Sequence, residues 1–114
     1  MRELRAEIRD YAARSGMCAD RVHDVALAVS EIVSNAVLHA YRDGSHGTIT
    51  VGAELSGEDI VIRVVDDGIG MSPRPDSPGA GMGLMIAGRL ADDMQIERPD
   101  AGGTYVCMTF APAA

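Results

Sequence analysis

The stretch Ile49-Thr-Val-Gly-Ala-Glu-Leu55-Ser-Gly-Glu-Asp59-Ile-Val-Ile-Arg-Val-Val-Asp66 decides the fold. Ile49, Val51, Ala53 and Leu55 alternate with small or polar residues, which is the period of a strand with one buried face. Ser56-Gly57-Glu58-Asp59 then makes a turn, and Ile60 to Val65 returns as a second strand. Strands joined this tightly pair antiparallel, because a parallel crossover needs a dozen residues or more. The sheet is therefore expected to grow from hairpins.

On both sides of this hairpin the period becomes helical. Upstream, Val22, Val25, Ala26, Val29, Val33, Ala36, Val37 and Ala40 fall in one sector of a helix running from about Asp20, the N-cap candidate, to about Tyr41, with Gly44 as terminator. A first helix covers residues 1 to about 15, with Leu4, Ile8 and Tyr11 at helical spacing and Ser15-Gly16 at its end. Downstream of Asp66, Gly, Pro and Ser are too dense for a helix or strand up to about Gly83, and the segment is long enough for a functional loop. Leu84 to about Ala91 reads as a short third helix, with Leu84, Ala87 and Ala91 on one side. Met94 to Glu97 and Thr104 to Phe110 close the chain as two strands around the turn Pro99 to Gly103. This order predicts an α+β, two-layer sandwich: a mixed, mainly antiparallel sheet with about three helices on one face.

Composition narrows the function. The chain has 114 residues, the length of one domain, 1–114. Its 10 Lys and Arg face 17 Asp and Glu, a net charge of -7, which argues against direct nucleic-acid binding by phosphate neutralisation. At 46% apolar and 24% charged it is an ordinary globular composition, and with 4% aromatics the core must be aliphatic. No apolar run approaches the ~20 residues of a membrane helix, and the N-terminus reads as an amphipathic helix instead of a signal peptide. Cys18 and Cys107 share no CxxC spacing and are expected as reduced, mostly buried thiols. These features together predict a cytoplasmic protein.

Three polar groupings carry chemistry. Glu31, Asn35 and His39 stand at i, i+4 and i+8, stacked along one side of the second helix. A carboxylate and a carboxamide one turn apart can serve as general base and metal ligand; taken alone, they also fit a solvated helix face. His39 by itself reads as a helix C-terminal or packing residue. Val65-Asp66-Asp67-Gly68-Ile69-Gly70-Met71 ends the second strand, where a carboxylate can face a pocket while glycine turns the backbone sharply. A buried carboxylate accepting from an exocyclic amine separates adenine from guanine; a plain turn is the alternative. Gly79-Ala80-Gly81-Met82-Gly83-Leu84 lies immediately before the third helix, where bare amides and the helix N-terminus form a phosphate cradle or a flexible lid. The Rossmann pattern is excluded by the absence of a βαβ unit, and the P-loop by the absence of Gly-Lys-Ser/Thr.

In this order and at these separations, Glu31-x-x-x-Asn35, Asp66-x-Gly68-x-Gly70 and Gly79-x-Gly81-x-Gly83 resemble the three boxes of the GHKL ATPase superfamily, over roughly residues 18 to 110. Gly103-Thr104 is similar to its final Gly-Thr element. Glu31-Ile-Val-Ser-Asn35-Ala-Val-Leu-His39-Ala-Tyr41 is especially similar to the anti-sigma-factor serine kinases, and Arg74-Pro-Asp-Ser-Pro-Gly79 resembles the compact lid of their actinobacterial members. The resemblance implies the Bergerat-type ATP-binding fold and the following roles. Glu31 is the catalytic base that takes the proton of a partner serine, or of water. Asn35 holds Mg²⁺, which bridges the phosphates. Asp66 accepts the adenine amine, with Gly68, Gly70 and Met71 beneath the base. Gly81, Gly83 and Leu84 offer backbone amides to the phosphates, and Thr104 supports Asp66. His39, Arg74, Gly79 and Met82 join the nucleotide-binding set.

The cofactors implied are ATP or ADP with Mg²⁺. The partners implied are a sigma factor and a small anti-anti-sigma protein of the STAS type, with a homodimer as the assembly. Relatives in this family begin with a strand before the first helix; here Met1 already reads as helix. The expectation is either an N-terminally shortened form or a sheet with one strand fewer, whose edge can be a dimer or partner surface. They also place a basic residue before the last glycine box, where Gly79 stands here, with Arg74 the cation nearby. A nucleotide-gated binding module with weak or no kinase activity is therefore the competing expectation.

Overall fold

The computed structural model describes residues 2–37, 47–67, 80–98 and 102–112. Its elements run α1 (Arg2–Arg14), α2 (Ala19–Asn35), β1 (Ile49–Ser56), β2 (Asp59–Asp66), α3 (Ala80–Leu90), β3 (Asp93–Glu97) and β4 (Thr104–Phe110). The strands form one sheet in the order β1-β2-β4-β3, every neighbouring pair antiparallel. This is the expected α+β sandwich.

The inner face of the sheet follows from alternation in register. Ile60, Ile62 and Val64 of β2 stand opposite Phe110, Met108 and Val106 of β4, and all six are fully buried. Removing side chains of this size from water stabilises by roughly 1.5–3 kcal/mol each. Met94 of β3 continues the layer as the partner of Met108. The opposite face is mixed, with Val61, Val65 and Cys107 beside polar residues. Arg63 donates to Tyr105 Oη at 2.8 Å and pairs with Glu54; these hydrogen bonds, that to Glu54 first, raise its pKa further above the ordinary arginine value.

Helix α2 lies between α1 and α3 on the inner face. Val25, Ala26, Val29, Val33 and Ala36 of the predicted stripe are buried, and so are Ala28 and Ile32 outside it. The buried sector is wide because α2 has a helix on either flank as well as the sheet below. Val37 departs from expectation at 57% exposed; Ala36 and Val37 form a widened, π-type turn that rotates the end of the stripe off the core. The predicted extension to Tyr41 and the terminator Gly44 lie outside the described residues.

Between α1 and α2 the chain makes a Schellman turn: Met17 N–H donates to Ala12 O at 3.2 Å and Gly16 N–H to Ala13 O at 3.1 Å, with Gly16 at φ +93°. That turn brings the chain into α2 early. The N-cap is consequently Cys18, extended and without a side-chain cap, and Asp20 falls in the first turn, where its carboxylate complements the helix dipole. Cys18 is exposed in that position, against the expectation of burial, and Cys107 is half-buried on the outer sheet face; both thiols are free. Helix α3 also begins earlier than Leu84, at Ala80, so Gly81 and Gly83 belong to its first turn. Leu84, Ala87 and Ala91 are buried together, as their spacing predicts. Among the described residues, no helix is long and apolar enough to cross a membrane.

Candidate functional site

Chain direction fixes which ends of the elements meet. Arg21, in the first turn of α2, reaches Leu90 O at the end of α3 and Ala111 O just beyond β4. The end of α2, the start of α3, the start of β4 and, by antiparallel pairing, the end of β2 therefore gather at the opposite end of the sandwich. Asn35, Gly83, Thr104 and Asp66 stand at those four positions.

Asp66 and Thr104 are direct cross-strand partners on the inner face, 3% and 0% exposed. A carboxylate buried to this degree is costly unless donors meet its oxygens, and it offers about four lone-pair sites. The backbone at this point is unusually close. Gly103 has φ +84°, and a Cβ on it would stand 2.2 Å from Asp66 O and 3.3 Å from Asp67 Cα. Only glycine fits, which explains the Gly103-Thr104 dipeptide: the bare residue lets β4 begin against the end of β2, so that Thr104 stands beside Asp66. The next residue, Asp67, accepts the Thr48 N–H on Oδ1 at 2.9 Å and ties the start of β1 to the turn leaving β2. Its place next to a glycine after a strand was the available sequence signal for that role.

On the helical side, Asn35 is 6% exposed in the last turn of α2. It packs on Gly83 so closely that a Cβ there would meet its Nδ2 at 2.7 Å and its Oδ1 at 2.9 Å. Glu31 is half-buried one turn earlier on the same helix. Leu84, 7% exposed, seats α3 in the core directly after Gly83. Asn35, Asp66 and Thr104 each make further interactions as well. The structure thus pairs Asp66 with Thr104 and Asn35 with Gly83 at one end of the sandwich, with Leu84 next to Gly83, Glu31 one turn before Asn35, and Gly81 and Met82 in the α3 first turn. His39, Gly68, Gly70, Met71, Arg74 and Gly79 lie outside the described residues.

This donor set can be tested against a metal. Among the described residues, no group of three or more His, Cys, Asp or Glu side chains could hold an ion. That fits Mg²⁺ on a nucleotide, which takes one or two protein oxygens and completes its shell with phosphates and water. A buried carboxamide with a carboxylate one turn away suits that division. Two clefts, of about 320 and 370 Å³, lie between α1 and β1 and between the turn after α1 and the β1–β2 hairpin, and they contain none of the candidate residues.

Residues 1–110 match the model of the histidine kinase-like ATPase domain. The chain is 31% identical over 115 aligned positions to a protein named anti-sigma F factor from Clostridium novyi (strain NT), with 91% of this chain and 80% of that protein covered. It is 33% identical to the anti-sigma F factor of Thermoanaerobacter sp. (strain X514), covering 92% and 80%, and 30% identical to that of Clostridium acetobutylicum, covering 91% and 80%.

Proposed function

The chain belongs to the histidine kinase-like ATPase domain family, in the branch of the anti-sigma F factors, and from that premise we propose that it is an ATP-dependent anti-sigma factor and serine/threonine protein kinase. It would sequester a sigma factor and phosphorylate a serine on a small anti-anti-sigma partner. We read 1–114 as one ATP-binding domain working in the cytoplasm, free of direct nucleic-acid or membrane contact. The resemblance also implies a homodimer, for which β1, hydrogen-bonded to β2 alone among the described strands, offers an edge.

The observation that carries this reading is the pairing of buried Asp66 with Thr104 at the end where Asn35 rests on α3. Asp66 would accept the amine of adenine and reject the carbonyl of guanine at the same place. The α3 first turn, with Gly81, Gly83 and Leu84, turns amides and the positive end of the helix dipole toward phosphates. Asn35 would hold Mg²⁺, which offsets phosphate charge in the transfer. A chain of net charge -7 has no surplus of lysine for a polyanion, so amides and a bound cation must do that work. Glu31, half-buried beside Asn35, would take the proton from the partner serine as its oxygen attacks the γ-phosphorus; the bond to the β–γ bridging oxygen breaks and ADP leaves.

The test is phosphoryl transfer from ATP to the serine of a candidate anti-anti-sigma protein. Transfer should occur with the native chain, and Glu31→Ala should lower its rate by about 10²–10⁴-fold while nucleotide affinity holds. Transfer that survives Glu31→Ala sinks the assigned base. A second reading, a nucleotide-gated binding module, is favoured by one sequence observation: from Asp67 to Leu84 the sole basic residue is Arg74. Tight Mg-ATP binding without transfer supports it.

A further inference from the structure

Most close glycines in a fold answer to a backbone demand, and Gly83 does not. It lies within the first turn of α3, in a helical conformation that any residue adopts, and glycine in a helix costs roughly 1 kcal/mol relative to alanine. Gly103, by contrast, is required by its φ of +84°. What Gly83 provides is space. A Cβ at that position would lie 2.7 Å from Asn35 Nδ2, 2.9 Å from Oδ1 and 3.0 Å from Cγ. Nδ2 and Oδ1 are both nearer than Cγ, so the amide presents its nitrogen–oxygen edge obliquely to the space a Cβ would fill. Gly88, one helical turn and a residue further on, meets only the terminal methyl of Met94, at 3.1 Å.

We propose that Gly83 is a positioning residue for the metal ligand: its bare Cα face holds the Asn35 carboxamide in a single orientation, so that seating the first turn of α3 and aiming the Mg²⁺ ligand are one event. This rests on the reading of Asn35 as that ligand. It differs from the role of Gly83 as an amide donor to phosphate, because it acts through van der Waals contact with a side chain on another helix. The atoms in the way are the far end of a side chain. A methyl group at position 83 would therefore displace the carboxamide by side-chain rotation and leave the backbone where it is. Damage should fall on the cation before it falls on the fold.

The experiment titrates a fluorescent ATP analogue into the full chain across a Mg²⁺ series and in excess chelator, for the native protein, Gly83→Ala, Asn35→Ala and the double variant. Gly83→Ala should raise the half-saturating Mg²⁺ concentration by about 10–100-fold, the range for residues that orient a ligand from behind. Its loss of affinity in chelator should be smaller than its loss in Mg²⁺. In the Asn35→Ala background Gly83→Ala should add nothing, since the side chain it disturbs is gone. In the nucleotide-free protein, Gly83→Ala should shift the Asn35 side-chain amide resonance. Equal losses with and without Mg²⁺ overturn the proposal in favour of amide donation to phosphate, and so do additive effects of the two substitutions. A Gly83→Ala chain that fails to fold, and is not rescued in the double variant, overturns it as well. If the native chain binds no analogue, the nucleotide reading itself fails; if native binding is Mg²⁺-dependent and Gly83→Ala leaves that dependence intact, only the present inference fails.

Discussion

The two ends of this sandwich share α2, α3 and β4 and are held by opposite means. At one end, Arg21 of α2 gathers the others with a single guanidinium. Its Nε donates to Ala111 O at 3.0 Å, its Nη1 to Asp24 Oδ2 at 3.1 Å and Leu90 O at 3.3 Å, and its Nη2 to Asp92 Oδ2. Its plane covers the Phe110 ring at 5.6 Å, and Asp92 in turn accepts the Ala111 N–H at 2.7 Å. Donors and acceptors are matched inside the protein. At the other end, glycines replace side chains: Gly103 admits the backbone of Asp66, and Gly83 admits the carboxamide of Asn35. Asp66, Thr104 and Asn35 are the polar residues buried at this end. One end is held by one side chain that spans several segments, and the other by the missing side chains of two glycines. The second of these is the end we propose to work on nucleotide.

The strongest attack on this contrast is Asp66→Asn. An amide at the same place changes an acceptor into a mixed donor and acceptor and removes the charge. Affinity for ATP should fall by about 1000-fold, or roughly 4 kcal/mol. Stability should change much less, because the amide escapes the desolvation cost of a buried carboxylate while weakening the hydrogen bonds it accepts. Isothermal titration beside urea unfolding separates the two; undiminished ATP binding would remove Asp66 from the base pocket. Gly103→Ala comes next and should damage fold and site together. A Cβ 2.2 Å from a backbone oxygen cannot be accommodated by rotating a side chain, and the positive φ adds strain, for about 3 kcal/mol of lost stability. Nucleotide affinity should drop with it, since the residue displaced is Asp66. A stable, ATP-binding Gly103→Ala chain would show that the close approach of β2 and β4 is incidental.

What the sequence disclosed and what it hid divide along the same line. The hairpin was legible because period two is a local pattern, but one buried face accounts only for Ile49 and Val51 of β1 and for β2: Ala53 and Leu55, on a strand whose one described neighbour is β2, are exposed. The inward set Leu84, Ala87 and Ala91 was legible for the same reason at period 3.6. Asp66 and Thr104 could be read as candidates from the boxes around them, and their pairing follows once the register is known. The start of α3 was placed too late because Gly81 and Gly83 look like helix breakers, and only the packing against Asn35 explains a glycine inside the helix. Ala28 and Ile32 escaped the apolar stripe because a wheel drawn for a helix on a sheet does not anticipate neighbours on both flanks. Arg21 was invisible: its partners Leu90, Asp92 and Ala111 lie 69 to 90 positions away, and nothing in the residues around it marks a buried cation.

That hidden arginine gives the smallest of the expected effects and the most informative control. Its side chain is 14% exposed, whereas Asp92 is 52% exposed, so the ion pair itself is partly screened and contributes little. The larger share comes from the carbonyls of Leu90 and Ala111, which lose a charged donor, and from the contact with Phe110. Arg21→Ala should therefore lower stability by about 2 kcal/mol, read as a shift in the urea midpoint at constant slope. Arg21→Lys should recover little of it, because a point charge cannot reach two carbonyls and a carboxylate at once or lie flat on a ring. ATP affinity should change by less than about threefold, since distant sites with no shared partner act additively. If Arg21→Ala instead weakens ATP as severely as Asp66→Asn, α2 transmits strain from its first turn to Asn35 in its last. The clamp would then set the working end, and the two ends could no longer be treated as independent.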